Sequence, residues 1–289
     1  MTLDLDLGDL HVAVAPEIGG GVARLDWRGV PIFRPWDGTT HDPNALGCYP
    51  LVPWSNRISG GGIEAGGRFW SLQPNWPGEL YPIHGDGWRR PWQVKRHAAE
   101  AIELTLDSNE QPPFDYRAGL TYALACHSLT MRLSVQHRGT VPVPYGLGFH
   151  PWLPRTRGML LELPAPEVWL ETSDHMPAGK VPIGDRPAWD FAQARPLPTD
   201  WINNGFSGWS GTARVLWPER DLQLTLTATP ELGTCIVYSP SEAATFFCLE
   251  PVSHPVDAYH LPGAPGLRVL RAGERLEVAC TFHVGAIMD

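Results

Sequence analysis

Residues 129–136 read L-T-M-R-L-S-V-Q, and this stretch decides the fold class. Every second residue in it is apolar, which is the period-two alternation of a β-strand with one buried and one solvated face. The same alternation recurs over residues 102–107, 222–227 and 276–282. Because such alternation is typical of antiparallel sheets, we expect these four segments to be half-buried antiparallel strands.

The composition supports an all-β fold. The chain has 289 residues with 30 glycines and 30 prolines, so a breaker of regular structure falls at about every fifth position. Such a chain has little room for long helices and suits many strands joined by turns. No shift in composition marks a linker. We therefore predict one domain, residues 1–289, built as a large antiparallel β-sandwich.

Charge and hydropathy exclude several classes of protein. A formal net charge of -9 disfavours nonspecific binding to nucleic acid, which needs Lys and Arg to neutralise phosphates. No stretch approaches the ~18 apolar residues that cross a membrane, and the N-terminus M-T-L-D-L-D-L-G-D-L lacks the pattern of a signal peptide. The five cysteines are scattered without a C-x-x-C pair, which is typical of a reduced protein. We expect a cytoplasmic protein that binds neither membrane nor nucleic acid.

Four short polar clusters interrupt the apolar pattern. They are Asn56-Arg57 in V-P-W-S-N-R-I, His84 in H-G-D-G, His150 in G-L-G-F-H-P, and Glu250 in F-F-C-L-E-P. Taken alone, each has an ordinary explanation as a surface cation, a glycine-rich turn or the end of a strand. Glu250 is expected at the end of a buried strand, because Pro251 cannot donate to a ladder from its own nitrogen.

Tryptophans surround these clusters. Of the 13 in the chain, six lie near a candidate residue: Trp54, Trp70, Trp76, Trp88, Trp92 and Trp152. Aromatic faces stack on sugar rings, but tryptophan is also a large core residue, and we expect core packing for most of them. The irregular stretch 36–92, rich in Pro, Gly, Trp and Asn, is still the first place to expect a binding surface.

In chain order, six segments resemble the aldose 1-epimerase (galactose mutarotase) family. They are V-A-P-E-I-G-G-G-V (14–22), L-V-P-W-S-N-R-I (51–58), H-G-D-G-W-R-R-P-W (84–92), G-L-G-F-H-P-W (146–152), I-N-N-G-F-S-G-W (202–209) and F-C-L-E-P-V-S-H-P-V-D-A (247–258). The resemblance runs nearly end to end and implies a large β-supersandwich with an open sugar-binding cleft. It also implies an isomerase that interconverts the α and β anomers of a free aldose.

The resemblance further implies a role for each candidate residue. Glu250 resembles the general base that removes the proton from the C1 hydroxyl, and His150 resembles the general acid that protonates the ring oxygen. His84 and Arg57 resemble groups that position the substrate, and Asn56 is expected to bind it beside them. No metal and no cofactor is expected, because one carboxylate and one imidazole suffice to open and close a hemiacetal ring. The expected partner is a small-molecule sugar, and the oligomeric state stays open.

The two proton transfers require opposite protonation states at one pH. Glu250 must be ionised while His150 is protonated. Their ordinary pKa values of about 4.3 and 6.5 bracket a usable window if mutual attraction raises the pKa of His150. We therefore expect an ion pair near neutral pH.

One position departs from the family pattern. The family usually has an aspartate in the segment that here reads W-I-N-N-G-F-S-G-W, and the matching residue is Asn203. An amide donates and accepts hydrogen bonds but carries no negative charge. Asn203 is still expected to bind substrate, with an altered sugar preference or activity, and Asn204 is a candidate neighbouring contact.

Two alternative functions share the fold. A sugar-binding protein without catalytic activity is favoured by the Asn203 departure and opposed by the presence of the four implied catalytic and positioning residues. A hexose 6-phosphate 1-epimerase would need additional cations, for which Arg89 and Arg90 are candidates, although an adjacent arginine pair is more often one solvated and one packed side chain.

Two further alternatives have less support from the sequence. A glycosidase would need a second carboxylate beside Glu250, for which Asp86 or Asp257 could be offered. A metal site is disfavoured, because no recognised ligand spacing joins the residues that would supply it, namely His84, His150, His254 and Glu250.

Overall fold

The computed structural model describes residues 1–287. Strands dominate that range, and in chain order they are β1 (Leu3–Leu7), β2 (Leu10–Ala15), β3 (Gly21–Trp27), β4 (Val30–Pro31), β5 (Pro50–Leu51), β6 (Gly62–Ala65), β7 (Arg68–Ser71), β8 (Gln93–Ala98), β9 (Ala101–Gln111), β10 (Phe114–Ala125), β11 (Ser128–His137), β12 (Val143–Tyr145), β13 (Gly148–Phe149), β14 (Trp152–Pro154), β15 (Leu160–Leu163), β16 (Glu167–Glu171), β17 (Pro177–Pro182), β18 (Phe191–Arg195), β19 (Ile202–Ser207), β20 (Thr212–Trp217), β21 (Leu222–Ala228), β22 (Thr234–Ser239), β23 (Phe246–Val252), β24 (Arg268–Leu270) and β25 (Arg275–Gly285).

Helical structure in residues 1–287 is limited to short 3-10 turns. They are Pro43–Ala45, Gly87–Arg89, Ile183–Asp185, Pro187–Trp189, Pro218–Arg220 and Ala258–His260. No helix in this part of the chain is long and apolar enough to cross a membrane. The abundance of glycine and proline accounts for the shortness of these turns, because both residues disfavour the interior of a helix.

Two large antiparallel sheets make up most of the fold. One has nine strands in the order β18-β15-β20-β21-β25-β11-β10-β9-β8. The other has eight strands in the order β17-β16-β19-β22-β23-β13-β5, with β14 also paired to β23. A four-stranded sheet, β1 to β4, and the pairs β12-β24 and β6-β7 complete the strands. The predicted all-β, antiparallel class is confirmed.

One apolar core joins the two large sheets. It includes Leu133 and Phe282 from the nine-stranded sheet, and Phe206 and Leu249 from the eight-stranded sheet. All four side chains are fully buried. Burying one such side chain contributes about 1.5–3 kcal/mol relative to leaving it in water. Sheets that share a core through their inner faces form the sandwich that the alternating pattern predicts.

The segments with alternating polarity form the predicted strands. Residues 129–136 lie in β11, where every second side chain from Leu129 to Val135 is fully buried, whereas Arg132 and Gln136 are exposed. β11 pairs with β10 on one side and with β25 on the other, so it is a central strand. The other three alternating segments lie in β9, β21 and β25.

β23 carries Glu250 through the middle of the eight-stranded sheet. It lies between β22 on one side and β13 and β14 on the other. Phe247 and Leu249 project into the core, so Cys248 and Glu250 project from the opposite face. β23 continues to Val252. Glu250 therefore does not lie at a strand end, and this expectation was wrong.

Pro251 leaves a gap in the ladder without ending the strand. On one side of it, the Leu249 N–H donates to the Pro151 carbonyl at 3.4 Å. On the other side, the Ser253 N–H donates to the Leu147 carbonyl at 2.8 Å. Pro251 has no N–H to place between these two bonds. The gap coincides with the break between β13 and β14. The neighbouring chain can leave the ladder at this point because Pro251 offers it no N–H donor.

Candidate active site

The register of the eight-stranded sheet aligns several candidate residues on the face opposite the core. Tyr238 of β22 lies directly opposite Cys248 of β23, and Asn203 of β19 lies directly opposite Tyr238. Directly opposed residues project to the same face, as do Cys248 and Glu250 two positions apart on one strand. Glu250, Tyr238 and Asn203 thereby line the same cleft.

His150 approaches Glu250 across the break in the neighbouring strand. β13 pairs with Val252 and β14 pairs with Cys248, so His150 between them lies opposite Glu250. Nε2 of His150 is 3.3 Å from Oε1 of Glu250. The two side chains are 9% and 4% exposed, which leaves the pair with little access to water.

Aromatic rings and one backbone bond hold the His150 imidazole. The ring stacks on the indole of Trp152, with centroids 5.2 Å apart and 18° between the planes, and lies 4.7 Å from the ring of Tyr49. The His150 N–H donates to the Tyr49 carbonyl at 3.0 Å. Nδ1 of His150 and Oε2 of Glu250 are buried and have no hydrogen-bond partner within residues 1–287. Because buried polar atoms are usually paired, both atoms are candidates to bond a ligand hydroxyl.

Burial sets the protonation of the resting pair. It raises the pKa of Glu250 to about 8, against the opposing charge of Arg57. It lowers the pKa of His150 to about 3. Loss of hydration disfavours the charged form of each group, so near neutral pH Glu250 holds a proton and His150 is neutral. The expected resting ion pair was therefore wrong, because desolvation is the largest influence on both pKa values.

The raised pKa of Glu250 predicts a pH dependence of stability. The unfolded carboxyl ionises near its ordinary pKa of about 4.3, whereas the folded one keeps its proton up to about pH 8, so rising pH favours unfolding across this interval. His150 adds nothing above its ordinary pKa of 6.5, because it is then neutral in both states. From about pH 6.5 to pH 8, the free energy of unfolding of Glu250→Gln minus that of the wild type should rise by about 2 kcal/mol. Urea unfolding of both proteins measures this difference. Free energies of unfolding that change with pH in the same way in the variant and the wild type would contradict the raised pKa of Glu250.

His84 is held in one tautomer beside His150. Its Nδ1 accepts a hydrogen bond from the Asn56 N–H at 2.9 Å, and this network assigns the ring proton to Nε2. Burial first, and then the neighbouring His150 and Arg57, lower the pKa of His84 well below its ordinary value. The rings of His84 and His150 meet edge to face with centroids 5.3 Å apart. The His84 backbone has a φ of 58°, a strained conformation of the kind that clusters at functional sites.

Arg57 reaches the cleft in a fixed position. Its Nε and Nη2 each donate to one oxygen of the Glu79 carboxylate at 2.8 Å, in the forked geometry of a strong pair. The Arg57 and Glu79 side chains are 14% and 23% exposed. Oδ1 of Asn56, whose φ is 55°, accepts a hydrogen bond from the Arg57 N–H at 3.0 Å. The predicted Asn56–Arg57 cluster therefore shares its wall of the cleft with Glu79.

Asn203 and Asn204 occupy opposite faces of β19. The Nδ2 of Asn203 donates to Oε2 of Glu171 at 2.8 Å. Asn204 is buried, and its Nδ2 donates to the Trp169 carbonyl at 2.7 Å. Successive residues of a strand point to opposite faces, so Asn204 is turned away from the cleft that Asn203 lines. The expectation that Asn204 is a neighbouring substrate contact is not supported by this geometry.

The cleft has a volume of about 210 Å³ and is lined by all six predicted site residues, Asn56, Arg57, His84, His150, Asn203 and Glu250. Aromatic side chains form much of the remaining wall: Tyr49, Trp76, Trp88, Trp152, Trp201 and Tyr238. Of the other tryptophans near the candidate clusters, Trp54 and Trp92 lie in the core and Trp70 packs against it. Flat apolar rings interleaved with hydrogen-bonding groups suit a sugar ring.

One group of potential metal ligands in the described chain converges at the wall of the cleft, where Cys248 is buried behind two lining residues. The ligand atoms of His150, Cys248 and Glu250 all lie within 4.8 Å of one another. Burial raises the pKa of the Cys248 thiol well above its ordinary value, and the negative charge of Glu250 raises it further. The thiolate is the form that binds metals, so this environment opposes metal binding by Cys248. Near neutral pH this group is therefore a protonated carboxyl, a neutral imidazole and a neutral thiol.

His254, named with the metal candidates, has a structural position. Its Nε2 accepts a hydrogen bond from the Ser55 N–H at 3.1 Å, and its Nδ1 donates to the Pro255 carbonyl at 2.8 Å. Burial lowers the pKa of His254 to about 4, so the ring is neutral near pH 7. Both ring nitrogens are used within the protein, and His254 therefore ties the Ser55 loop to the chain after β23.

Comparison with known proteins identifies the family. Residues 2–283 match the sequence model named Aldose 1-epimerase. The chain belongs to the aldose 1-epimerase family. The uncharacterized protein YphB of Escherichia coli (strain K12) is 34% identical to this chain over 279 residues, which cover 93% of this chain and 94% of YphB. The uncharacterized protein YihR of the same organism is 27% identical over 276 residues, covering 90% and 86%.

Solved structures agree with the aldose 1-epimerase family fold. A crystal structure from Escherichia coli K12, provisionally described as an aldose 1-epimerase, has a TM-score of 0.92 at 31% identity and covers 99% of both chains. A galactose 1-epimerase from Lactobacillus acidophilus NCFM has a TM-score of 0.79 at 14% identity, covering 98% of this chain and 93% of its own. At that identity the second likeness concerns the fold alone.

Several cleft residues of this aldose 1-epimerase family member were missed in the sequence. Glu79, His175 and Trp201 line the cleft, and Glu171 lies behind Asn203. Each is an ordinary polar or aromatic residue in a loop, a bend or a strand, without a motif around it. Glu171 is identified only by the cross-strand neighbours of Asn203, which the sequence does not reveal.

Proposed function

We propose that this protein is an aldose 1-epimerase that interconverts the α and β anomers of a free, uncharged aldose. The observation that carries the proposal is the buried pair of Glu250 and His150, 3.3 Å apart in an aromatic cleft. Opening a hemiacetal requires one group to take a proton from the C1 hydroxyl and another to give a proton to the ring oxygen. A carboxylate and an imidazole at this spacing can serve the two neighbouring oxygens of one sugar.

Glu250 acts as the base and His150 as the acid in ring opening. Transfer of the proton from Glu250 to His150 gives the ionised carboxylate and the imidazolium that the reaction needs. Glu250 then removes the C1 hydroxyl proton as His150 protonates the ring oxygen, so the bond from C1 to the ring oxygen breaks and a C1 carbonyl forms. The pair returns to its neutral form with the same number of protons.

Ring closure follows the same path in reverse. Rotation about the C1–C2 bond presents the other face of the carbonyl to the ring-forming hydroxyl. His150 takes the proton from that hydroxyl while Glu250 returns a proton to the carbonyl oxygen. No covalent bond to the protein is formed.

His84, Arg57 and Asn56 position the sugar in this mechanism. The fixed tautomer of His84 presents an Nε2–H donor near His150, suited to the ring oxygen or a hydroxyl next to it. Because His84 stays neutral, it can bond the substrate without competing as a proton donor in the same pH range. The Arg57 guanidinium, oriented by Glu79, stabilises negative charge at Glu250.

The charges around the cleft favour an uncharged sugar over a sugar phosphate. Arg57 is bound to both oxygens of Glu79, and no other Lys or Arg is among the lining residues in the described chain. Arg90 pairs with Glu110 at 2.6 Å, and Arg89 lines a different surface cleft. Neither of the two arginines proposed from the sequence as phosphate ligands therefore faces the site.

This charge distribution predicts substrate discrimination. With glucose and glucose 6-phosphate compared under identical ionic strength, we expect kcat/KM to be at least about tenfold higher for glucose, because the phosphate finds no unpaired cation among the lining residues that the structure describes. Polarimetry of freshly dissolved anomers measures both rates after subtraction of the uncatalysed rate. Equal or faster conversion of the phosphate would instead support the hexose 6-phosphate 1-epimerase alternative.

The geometry gives no support to a glycosidase with the carboxylates named from the sequence. Asp86 is buried and accepts hydrogen bonds from Tyr116 and Ser108. Asp257 accepts hydrogen bonds from the backbone and the hydroxyl of Ser59 at 2.8 and 2.7 Å. Neither aspartate lines the cleft beside Glu250.

The test of the proposed function is anomer exchange across a panel of free hexoses and pentoses. We expect catalysis with at least one aldose, saturating with sugar concentration. Binding of aldoses by calorimetry without acceleration of exchange would support the alternative of a catalytically silent sugar-binding protein.

A further inference from the structure

Glu171 organises the wall of the cleft that carries Asn203. Its carboxylate accepts hydrogen bonds from Nδ2 of Asn203 at 2.8 Å, from Nδ1 of His175 at 3.0 Å and from the indole N–H of Trp201. The Glu171 side chain is 18% exposed, and its ion-pair neighbour among the described residues is His175. All three partners act as donors to this one acceptor group, which suits a carboxylate better than an amide.

The sheet register brings Glu171 to this place. β16 pairs with β19 through Glu167 opposite Ser207, and the same register continued along the strands puts Glu171 opposite Asn203. Opposed side chains on one face are close enough to bond, as the 2.8 Å contact shows. Glu171 therefore reaches Asn203 from the neighbouring strand.

The turn after β16 holds His175 over Trp201. The Thr172 hydroxyl accepts a hydrogen bond from the Met176 N–H at 3.1 Å, and Asp174 accepts one from the Tyr81 hydroxyl at 2.8 Å. His175 has a φ of 64°, which the turn imposes on a residue with a Cβ. Its ring stacks on that of Trp201, with centroids 5.3 Å apart and 22° between the planes.

This wall lies away from the Glu250–His150 pair. Asn203 is two strands from Glu250 and displaced along the sheet by two residues. With ordinary strand spacing and rise, the two Cα atoms are roughly 12 Å apart. A sugar whose C1 lies at Glu250 thus extends its remaining hydroxyls toward Asn203, His175 and Trp201, all of which line the cleft.

We propose that Glu171 is a positioning residue that sets which sugar the cleft prefers, by fixing the Asn203 amide and the His175 and Trp201 rings against the hydroxyls remote from C1. One N–H of Asn203 is used by Glu171, which leaves Oδ1 and the second N–H for a substrate hydroxyl. This inference rests on the proposed function, because it concerns the same cleft and the same class of substrate.

An exchange of amide and carboxylate between the two positions tests the proposal. Asn203→Asp alone places two carboxylates in a 2.8 Å contact, so one must take up a proton or move away. In Glu171→Gln alone, the amide nitrogen replaces one acceptor oxygen and therefore faces at least one of the three donors. The double variant, Glu171→Gln with Asn203→Asp, restores one amide and one carboxylate in contact.

The measurements are kcat and KM for glucose, mannose, allose and galactose. Each of the last three sugars differs from glucose in configuration at one ring carbon. Sites that form hydrogen bonds with substrate hydroxyls discriminate between sugars by those bonds. Glu171→Gln should therefore raise KM for the preferred sugar by about tenfold and change kcat by less than about threefold. The ratio of kcat/KM between the preferred sugar and the others should fall by at least about fivefold. Asn203→Asp should lower kcat/KM by about 10²-fold at pH 8. At pH 5.5 its kcat/KM should recover in part relative to the wild type, because the two carboxylates can then share a proton. The double variant should exceed Asn203→Asp by at least about tenfold at pH 8.

Glu167→Gln is the matched control. Glu167 lies on the same strand, pairs with Lys180 at 2.5 Å and is 42% exposed, so its replacement should leave the sugar preference unchanged. An unchanged preference in Glu171→Gln, or a double variant no faster than the single Asn203→Asp, would overturn the proposal. If the wild type accelerates anomer exchange of no aldose, the proposed function itself fails. That result is distinct from the two variant results that would overturn the role of Glu171.

Discussion

Anomer exchange by the Glu250→Gln variant is expected to be slower in kcat than exchange by the wild type by about 10²- to 10⁴-fold, the range contributed by one positioned proton-transfer group. Glutamine keeps the shape and the capacity to form hydrogen bonds, but its amide does not take up the C1 hydroxyl proton. Because the resting carboxyl already holds a proton, with its pKa raised to about 8, the substitution removes no resting charge from the site. The fold should therefore be retained.

Glu64→Gln is the control for this substitution, since Glu64 is exposed on β6. Circular dichroism and urea unfolding at pH 6.5 should show both variants folded. Sugar binding by Glu250→Gln should change less than kcat, because the loss falls on the transition state. A Glu250→Gln enzyme with kcat within threefold of the wild type would contradict the assignment of Glu250 as the base.

Replacement of His150 by Asn is the second substitution with a large expected effect. The imidazole is the group that we propose protonates the ring oxygen, and its loss should lower kcat by about 10²- to 10⁴-fold. The smaller side chain also gives up the stacking on Trp152, so a decrease in thermal stability is expected with it. His41→Asn, on an exposed residue, controls for the substitution itself.

The double variant separates a shared mechanism from two independent effects. Residues that act as one catalytic unit show strongly non-additive losses, so Glu250→Gln with His150→Asn should be slower than the slower single variant by less than about tenfold. Losses that multiply would show that the two groups contribute independently rather than as one catalytic unit. A folded His150→Asn variant with full kcat would exclude His150 as the acid.

The strands could be predicted because alternation is written along the chain. In β11 each apolar residue from Leu129 to Val135 points inward, and each residue between them is polar. The period of the strand is therefore visible without knowledge of the neighbouring strands. The position of Glu250 was harder to predict. Pro251 indicates a strand end when only local sequence is considered, whereas the structure shows that the ladder gap is matched by the break between β13 and β14.

Cleft residues could be predicted from the sequence where a short motif contains them, and were missed where pairing between strands brings them together. Asn56, Arg57, His84, His150 and Glu250 each stand in a recognisable local sequence, and the structure brings them to one cleft with Asn203. The protonation of the pair was not predictable, because it depends on burial that only the folded sheet creates.

Residues that depend on pairing between distant strands have no local signal. Glu171 precedes Asn203 by 32 positions and meets it through the register of β16 and β19. Glu79 is likewise recognised only from its contact with Arg57. Such residues orient side chains that line the cleft, which is why they belong to the candidate site despite their ordinary sequence context.

The most direct test of ring opening by the Glu250–His150 pair is the rate of exchange between the α and β anomers of an aldose at equilibrium, measured by saturation-transfer NMR with wild-type protein and with Glu250→Gln at equal concentration. The predicted result is exchange that increases linearly with wild-type concentration for at least one uncharged aldose and falls to the uncatalysed rate with the variant. Exchange that stays at the uncatalysed rate with wild-type protein for every aldose, or that is equally fast with Glu250→Gln, would contradict it.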